Sequence, residues 1–319
     1  MSTPGFDIVR AGHVEFLVRS LSKSRDFYVD TLGFTVTGES GGSLFLRGIE
    51  DRFHHSLVLT ESTHTGVGHI SYRVRRPEDL HNAVELLKRE GIDYSEIEDG
   101  DEEGQGKAVR FQDPLGFPVE LFNEMEGAEW MLQRFDRHSG ARVMRLDHFN
   151  MFVSNVDSAS AWYMDSLGFD LTEYVEGKEK GRRMSAAWLR RKQSSHDVAL
   201  MEGQGPRFHH AGFIVSGKEN ILDAADILSA RGYVANMERG PGRHGITNAF
   251  FFYLRDPDGN RIELYTGDYL TADPYLPPVV WKATDPRRQT FWGAPTPESW
   301  WREASTVYSV FDGKAVRSG

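Results

Sequence analysis

The chain alternates short apolar runs with amphipathic segments, and the same order of segments occurs in both halves. Apolar or alternating runs predict buried strands, whereas apolar positions three and four residues apart predict helices. Strand-like runs begin near residues 10, 43, 55, 69 and 111 in the first half and near 145, 186, 196, 210 and 254 in the second. Predicted helices cover 22–30, 77–90, 157–165 and 218–230, and the connection between the halves carries a partly helical stretch at 129–134.

Turn residues stand at matching places in the two halves. Gly91 and Gly232 follow the longer predicted helix of each half, where glycine often ends a helix. The sequence Asp-Pro-x-Gly at 113–116 and 256–259 predicts a hairpin turn between two strands. Each half therefore predicts two β-α-β-β-β modules, and the four modules predict an α+β protein with two curved, mostly antiparallel sheets.

Composition and charge narrow the possible function classes. The chain has 319 residues, 39% hydrophobic and 26% charged, which fits a globular protein of two domains. The net charge of −10 argues against nucleic acid or an anionic membrane as a partner. The absence of cysteine excludes disulfides and thiolate chemistry, and we expect a cytoplasmic protein. Residues 1–10 do not resemble a signal peptide, and no run approaches the ~20 apolar residues of a membrane span.

The pattern His…His…Glu occurs once in each half at nearly the same spacing. It consists of His148, His210 and Glu263 in the second half and of His13, His69 and Glu120 in the first. If each sheet curls into a cup, inward residues from its first, fourth and last strands converge. Two imidazoles and one carboxylate are the ligands that hold a non-haem Fe(II) with open positions. The pattern predicts a metal enzyme built by duplication, although any one of these histidines, taken alone, is more often a packed or surface residue.

Further motifs surround the second triad. They are Arg-Leu-Asp-His-Phe-Asn at 145–150, Arg-Phe-His-His at 207–210, Glu-Arg-Gly-Pro-Gly-Arg-His-Gly at 238–245, Asn-Ala-Phe at 248–250, Asp-Pro-Asp-Gly at 256–259 and Arg-Ile-Glu-Leu-Tyr at 261–265. With these motifs the chain resembles, over residues 7–301, the type I extradiol ring-cleaving dioxygenases of the vicinal oxygen chelate superfamily. Among them it is most similar to the homoprotocatechuate (3,4-dihydroxyphenylacetate) 2,3-dioxygenases. The resemblance implies cleavage of a catechol by O2 to a hydroxymuconic semialdehyde.

The resemblance also implies a role for each of ten residues. His148, His210 and Glu263 match the ligands of Fe(II), or of Mn(II) in some members, and His196 matches the acid and base. Tyr253 and His244 match groups that hydrogen-bond the reacting oxygens, and Asn150 and Trp188 match pocket residues. Arg239 matches an arginine that binds the substrate carboxylate, and Arg288 is the candidate to replace a second such arginine. Without the resemblance, each of the non-ligand residues also fits an ordinary role as a packed histidine, a turn residue, a core aromatic or a surface ion pair.

The first half departs from this pattern around its triad. His55 stands where the second half has His196, but Arg110 stands where it has Tyr253. We therefore predict a vestigial site in the first half, with a second, non-catalytic metal as the alternative. This asymmetry predicts a non-catalytic N-terminal domain at 1–135 and a catalytic metal-binding domain at 141–272. We expect residues 273–319 to form a tail that packs near the active site.

The tail and one charged segment leave the identity of the substrate undecided. A second carboxylate-binding arginine of the family falls on Gln289, beside Arg288, so another catechol, such as catechol itself, a protocatechuate-like compound or a biaryl diol, is the main alternative. The segment 173–183 is either a solvated loop or part of the pocket entrance. A glyoxalase-type lyase or isomerase and a metal-free binding protein of the drug-resistance type are the other classes. The aromatic tail and the family resemblance predict a homo-oligomer, and the expected oligomer is a tetramer.

Overall fold

Two β-sheets form the framework of the protein, and the computed structural model describes residues 5–177, 181 and 183–317. The strands of the first sheet are β1 (Ile8–Val18), β2 (Thr35–Ser40), β3 (Ser43–Arg47), β4 (Leu57–Glu61), β5 (Gly66–Val74), β6 (Tyr94–Ile97), β7 (Ala108–Gln112) and β8 (Pro118–Phe122). Those of the second are β9 (Val143–Val153), β10 (Asp170–Glu176), β11 (Met184–Arg190), β12 (Val198–Glu202), β13 (Arg207–Val215), β14 (Met237–Arg243), β15 (Phe250–Arg255), β16 (Arg261–Thr266) and β17 (Val279–Trp281).

Each sheet joins two modules side by side. The strand order is β2-β3-β4-β1-β5-β8-β7-β6 in the first sheet and β14-β15-β16-β13-β9-β12-β11-β10-β17 in the second. The modules meet where β1 pairs antiparallel with β5 and β9 with β13, and the remaining pairs are mostly antiparallel as well. The α+β class and the repeated modules predicted from the sequence are therefore confirmed.

The longer helices cover the predicted residues. α2 (Pro77–Glu90) ends at Gly91, whose φ of 68° is a conformation that side chains with a Cβ rarely adopt. α4 (Lys218–Ala230) occupies the corresponding place in the second half. α3 (Val156–Asp165) starts slightly earlier than predicted, because the side chain of Asn155 accepts a hydrogen bond at its N-terminus. Among the described residues, no helix is long and apolar enough to cross a membrane.

Two shorter helical predictions differ from the structure. The segment 22–30 is divided into α1 (Leu21–Arg25) and a π-helical turn at Asp26–Thr31. The helix expected at 129–134 is wrong, and a single 3-10 turn follows it at Phe135–Arg137. A stretch of so few residues is too short to be stable as a helix by itself.

Reciprocal hydrogen bonds link the two halves. The hydroxyl of Tyr28 in the first half donates to Asp256 of the second at 3.1 Å, and that of Tyr163 in the second donates to Asp113 of the first at 3.3 Å. Both aspartates begin the predicted Asp-Pro-x-Gly turns and are buried. The turns therefore also hold the two sheets together.

The tail packs against the second sheet. Its strand β17 extends that sheet by pairing in parallel with β10. Its last helix, α5 (Ser299–Arg302), places the side chain of Trp300 in the interior with only 4% exposed. Trp292, by contrast, is 51% exposed. The tail is thus anchored at particular residues and is not buried along its whole length.

The charged segment 173–183 is not a solvated loop throughout. Glu173 lies in β10 and is 1% exposed. It accepts hydrogen bonds from Tyr269 (2.5 Å), from the indole of Trp281 (2.6 Å) and from the backbone of Thr247 (2.9 Å). These contacts connect the tail with the loop that follows β14. Residues 178–180 and 182 of the segment lie outside the described residues.

Candidate active site

The second triad converges at the centre of the second sheet. His148 lies on β9, His210 on β13 and Glu263 on β16, three strands that are neighbours in the order β16-β13-β9. The three side chains are buried. The two Nε2 atoms are 3.3 Å apart, and Oε2 of Glu263 lies 3.1 Å from Nε2 of His148 and 3.2 Å from Nε2 of His210. The three side chains therefore converge as predicted, but from the first, fifth and eighth strands of the second half, because the sequence pattern did not reveal β10 before β11.

This spacing suits one small metal ion. Ligands that bind a metal at ~2.1 Å and at right angles to one another lie about 3.0 Å apart. The three observed distances, 3.1, 3.2 and 3.3 Å, are close to that value and nearly equal. Two imidazoles and one carboxylate suit a first-row divalent ion such as Fe(II) or Mn(II). The donor set and its geometry therefore fit the predicted metal.

Hydrogen bonds orient both histidines for this role. Nδ1 of His148 lies 3.3 Å from the buried carboxylate of Asp147. Nδ1 of His210 lies 2.6 Å from Nδ1 of His209, whose Nε2–H donates to the backbone carbonyl of Trp300 at 3.1 Å. Because that carbonyl only accepts, His209 accepts at Nδ1, so His210 carries its proton on Nδ1. The Nε2 lone pairs of both ligands are thus directed at the shared point, as in most histidine–metal sites.

The ionisation of the triad fits a cation between its members. Burial raises the pKa of Glu263, but the hydrogen bond that protonated His148 donates to its carboxylate opposes this effect, and the pKa of Glu263 lies well below its usual range. Burial lowers the pKa of His148, but the carboxylates of Asp147 and Glu263 reverse the shift and raise it to about 9. A proton on His148 therefore balances the buried carboxylate, and a bound metal replaces that proton.

His196 stands beside the triad as a neutral imidazole. Its ring centroid is 4.0 Å from that of His148, and its Nδ1 is 2.8 Å from the hydroxyl of Ser195. Burial, followed by the neighbouring His148, lowers the pKa of His196 well below its usual value. When Nδ1–H donates to Ser195, Nε2 keeps its lone pair for a proton from the cavity.

Tyr253 and His244 also line the cavity and are hydrogen-bonded to each other. Nδ1–H of His244 donates to the backbone carbonyl of Gln289, so Nε2 of the neutral ring accepts. Nε2 lies 2.9 Å from the hydroxyl of Tyr253, which is therefore the donor. Burial, with Arg239 next, lowers the pKa of His244 to about 3, which keeps the ring neutral. The hydroxyl of Tyr253 thus presents lone pairs to the cavity until its O–H rotates away from His244.

Arg239 is a buried cation without a carboxylate partner among the described residues. Its side chain stacks over Trp300 at 4.6 Å and over Phe251 at 4.7 Å, and the residue is 4% exposed. Nη2 donates to Thr290 at 2.8 Å and to the carbonyl of Gln289 at 3.1 Å, and Nε has no partner among the described residues. Cation–π contacts offset part of the burial cost, but a buried guanidinium still favours an anion nearby.

One cavity of about 170 Å³ is lined by all ten residues predicted from the sequence. They are His148, Asn150, Trp188, His196, His210, Arg239, His244, Tyr253, Glu263 and Arg288. The sequence analysis missed Trp300, which packs on Tyr253 and Arg239, and the supports Asp147 and His209. The Asp-His and His-His pairs in the motifs at 145–150 and 207–210 are a sequence signal for both supports. No comparable signal points to Trp300.

The first triad also converges, with two additions. One ligand atom from each of His13, His69, Glu120 and the unpredicted Glu102 lies within 4.8 Å of the others. Nε of Arg110 donates to Glu120 at 2.5 Å, and its Nη2 donates to Glu102. The position that holds a tyrosine in the second half therefore holds a cation here.

Comparisons with known proteins agree with this geometry. Residues 10–121 and 145–264 match the family described as the Glyoxalase/Bleomycin resistance protein/Dioxygenase superfamily. The chain is 35% identical over 301 residues to a manganese-dependent 2,3-dihydroxybiphenyl 1,2-dioxygenase of Geobacillus genomosp. 3, covering 91% of this chain and 95% of that protein. It is 36% identical over 320 residues to a metapyrocatechase of Geobacillus stearothermophilus, with 95% of each covered.

Solved structures give the same relationship. Homoprotocatechuate 2,3-dioxygenase from Arthrobacter globiformis superposes with a TM-score of 0.95 at 42% identity, covering 100% of this chain and 98% of that one. The enzyme from Brevibacterium fuscum, in complex with 3,4-dihydroxyphenylacetate, superposes with a TM-score of 0.94 at 40% identity, covering 99% and 98%.

Proposed function

Because this chain belongs to the glyoxalase/bleomycin resistance protein/dioxygenase superfamily, and within it to the extradiol catechol dioxygenases, we propose that it cleaves the ring of an acidic catechol with O2. The proposed substrate is 3,4-dihydroxyphenylacetate, and the product is a hydroxymuconic semialdehyde that contains both atoms of O2. The structural likeness to two homoprotocatechuate 2,3-dioxygenases supports this choice.

The observation that carries the choice of substrate is the environment of Arg239. Its guanidinium is buried in the wall of the cavity that holds the triad, without a carboxylate partner among the described residues. Arg288 lines the same cavity. A substrate carboxylate would supply the missing counterion and would orient the catechol ring relative to the triad.

His148, His210 and Glu263 would hold Fe(II), or Mn(II) in its place. The bound ion would supply open positions at which the catechol oxygens and O2 can meet. His196 would take a proton from a catechol hydroxyl, since its ring is neutral, buried and close to His148.

Tyr253 and His244 would stabilise negative charge on the substrate oxygens. For this the O–H of Tyr253 turns from His244 towards the cavity, a rotation about one C–O bond. Asn150 is 5% exposed, and its Oδ1 has no partner among the described residues, which leaves it able to accept a hydrogen bond. Trp188 would close the apolar wall and help to exclude water.

A comparison of two substrates tests the carboxylate assignment. O2 uptake is measured with 3,4-dihydroxyphenylacetate and with 4-methylcatechol, which lacks the carboxylate. Arg239→Ala should lower kcat/KM for the acid roughly 10- to 100-fold, because a hydrogen bond to a charged group contributes ~1.5–3 kcal/mol. The value for 4-methylcatechol should change little. Arg243→Ala, on the same strand but outside the cavity, is the matched control.

Equal kcat/KM for the two substrates in the unaltered protein would contradict the acidic substrate while leaving ring cleavage intact. The second candidate would then be a catechol with an apolar substituent. The apolar residues Val175, Met201 and Ile246 in the cavity wall favour it, as does the likeness to a dihydroxybiphenyl dioxygenase. Absence of O2 uptake with every catechol in the metal-loaded protein would contradict the proposed function itself.

The organisation of the whole protein is also part of the proposal. We assign residues 1–135 to a non-catalytic domain, 141–272 to the catalytic domain and 273–319 to a tail that completes the pocket. Exposed apolar side chains of the tail, such as Tyr275 at 93% and Leu276 at 68%, support a homo-oligomer, for which a tetramer is the first expectation. A cytoplasmic location is in keeping with a chain that has no cysteine.

A further inference from the structure

The first sheet gathers four metal-ligand side chains at the place that corresponds to the catalytic triad. His13 lies on β1, His69 on β5 and Glu120 on β8, which are neighbouring strands in the order β1-β5-β8. Glu102 reaches the same point from the loop between β6 and β7. Three of the four residues are fully buried, and Glu102 is largely covered.

The four donor atoms are close enough to share one ion. Nε2 of His13 lies 2.8 Å from Nε2 of His69, 3.3 Å from Oε1 of Glu102 and 3.4 Å from Oε1 of Glu120. Nε2 of His69 lies 3.7 Å from the other carboxylate oxygen of Glu102, Oε2, and 4.0 Å from Oε2 of Glu120. Ligands of one metal at ~2.1 Å are separated by about 3.0 Å when adjacent and by about 4.2 Å when opposite. The observed distances fall almost entirely within this range.

The histidines are also oriented as ligands. Nδ1–H of His69 donates to the carboxylate of Glu15 at 2.9 Å, so a neutral ring directs its Nε2 lone pair at His13. A carboxylate in this position is the usual support of a metal-binding histidine. Two imidazole nitrogens 2.8 Å apart require either a proton or a metal ion between them. Nδ1 of His13 has no partner among the described residues, so nothing there opposes a proton on Nδ1.

The charge of the cluster favours a divalent cation. Glu15, Glu102 and Glu120 are three carboxylates, and Arg110 is the one guanidinium that contacts them among the described residues. With both imidazoles neutral, two negative charges remain. Buried charge that is not neutralised is costly, and a divalent ion would balance this cluster.

The same cluster is not built for ring cleavage. Arg110 pairs across the strands with Glu120 as Tyr253 does with Glu263, and its guanidinium is bonded to Glu120 and Glu102. Nε2 of His55, in the place of His196, is already bonded to Glu102 at 2.9 Å. An ion here would instead tie the β6–β7 loop to the sheet.

We propose that the first half binds a second, structural divalent metal ion through His13, His69, Glu102 and Glu120. Two nitrogen and two oxygen donors suit a first-row ion such as Mn(II), Fe(II) or Zn(II). Glu102 was not predicted from the sequence, and it provides both a fourth donor and the excess negative charge. The proposal does not depend on which catechol the second half accepts.

Counting bound Mn(II) tests the proposal. The full chain is stripped with a chelator and titrated with MnCl2, and free Mn(II) is measured by electron paramagnetic resonance. The unaltered protein should bind two ions per chain, and His69→Ala and His148→Ala should each bind one. His69→Ala should keep ring-cleaving activity, whereas His148→Ala should lose it. One ion in the unaltered protein together with none in folded His148→Ala would overturn the second site.

A milder pair of variants guards against misfolding. Glu102→Gln removes one ligand charge and should lose the second ion or weaken its binding at least 10-fold. Glu103→Gln changes the next residue, which faces His54 and not the cluster, and should bind two ions. Circular dichroism confirms that each variant is folded before the count. Equal Mn(II) binding by the two variants would contradict the assignment of Glu102.

Discussion

The neighbours of each ligand distinguish the two triads more than the ligands themselves do. Both halves place two histidines and a glutamate on equivalent strands. In the second half a tyrosine pairs with Glu263 beside a cavity, whereas in the first half Arg110 pairs with Glu120 and bonds to its carboxylate. One cross-strand position thus places a neutral hydroxyl beside the second triad and a guanidinium beside the first.

The substitution His196→Asn tests the proposed role of His196 as acid and base. The amide can keep the hydrogen bond to Ser195 but cannot take a proton at neutral pH. We expect kcat to fall ~10²–10⁴-fold while the metal content stays the same, because general acid–base catalysis usually contributes that much. O2 uptake and metal analysis on one preparation measure both quantities. His55→Asn, the equivalent change in the first half, should leave kcat unchanged, and an unchanged kcat in His196→Asn would contradict the role.

Among the elements, the tail supplies backbone carbonyls and one indole that hold side chains of the site in place. The backbone carbonyl of Gln289 orients His244 and Arg239, and that of Trp300 orients His209. The indole of Trp300 also packs on Tyr253, with ring centroids 4.5 Å apart. A tail segment that is distant in sequence from His210 therefore determines, through His209, which nitrogen of His210 carries the proton.

Trp300→Ala should cost both stability and substrate affinity. Removal of a buried tryptophan leaves a cavity and typically costs ~3–5 kcal/mol in the free energy of unfolding. Arg239 would lose its stacking partner, so we also expect KM for the acidic catechol to rise. Urea denaturation at constant Mn(II), followed by steady-state kinetics, measures these effects. Trp292→Ala, at a half-exposed tryptophan, should cost about 1 kcal/mol or less, and an equal loss in both variants would contradict the anchoring role of Trp300.

At the scale of the whole molecule, the halves hold each other through the tyrosine–aspartate pairs. Burial raises the pKa of Asp113 to about 7 against the opposing hydrogen bonds from Phe117 and Leu115. The unfolded chain has the ordinary aspartate pKa of ~3.9. Between these values the folded protein binds a proton that the unfolded chain does not. The contribution of Asp113 to stability is therefore greatest at low pH and is lost as pH rises through about 7.

Asp113→Asn should remove this pH dependence, because an amide does not ionise. We expect the variant to gain stability relative to the unaltered protein, on the order of 1–3 kcal/mol, as pH rises from about 5 to 8. Urea unfolding of the pair at several pH values and fixed Mn(II) measures the difference. For Asp256→Asn the gain should be complete at a lower pH, since burial raises the pKa of Asp256 only to about 6. A difference that is constant with pH would rule out the effect.

The sequence by itself determined the repeated modules and the two long helices, and its resemblance to a known family indicated the ten residues that line the cavity. These features depend on local periodicity and on motifs, and burial on one face of a strand or helix leaves a pattern that can be read along the chain. The short helix expected at 129–134 was wrong, because so short a segment forms a helix only where tertiary packing supports it.

Only the tertiary structure decided how the site is supported. Glu102, His209 and Trp300 act through partners on distant segments; Trp300, for example, bonds to a histidine 91 positions earlier. No periodicity records such a pairing, because a hydrogen bond between a loop and a strand depends on where the folded sheets place both groups. For the same reason the sequence does not fully distinguish the two triads. Their ligands are alike in sequence, and the fold determines which residues surround them.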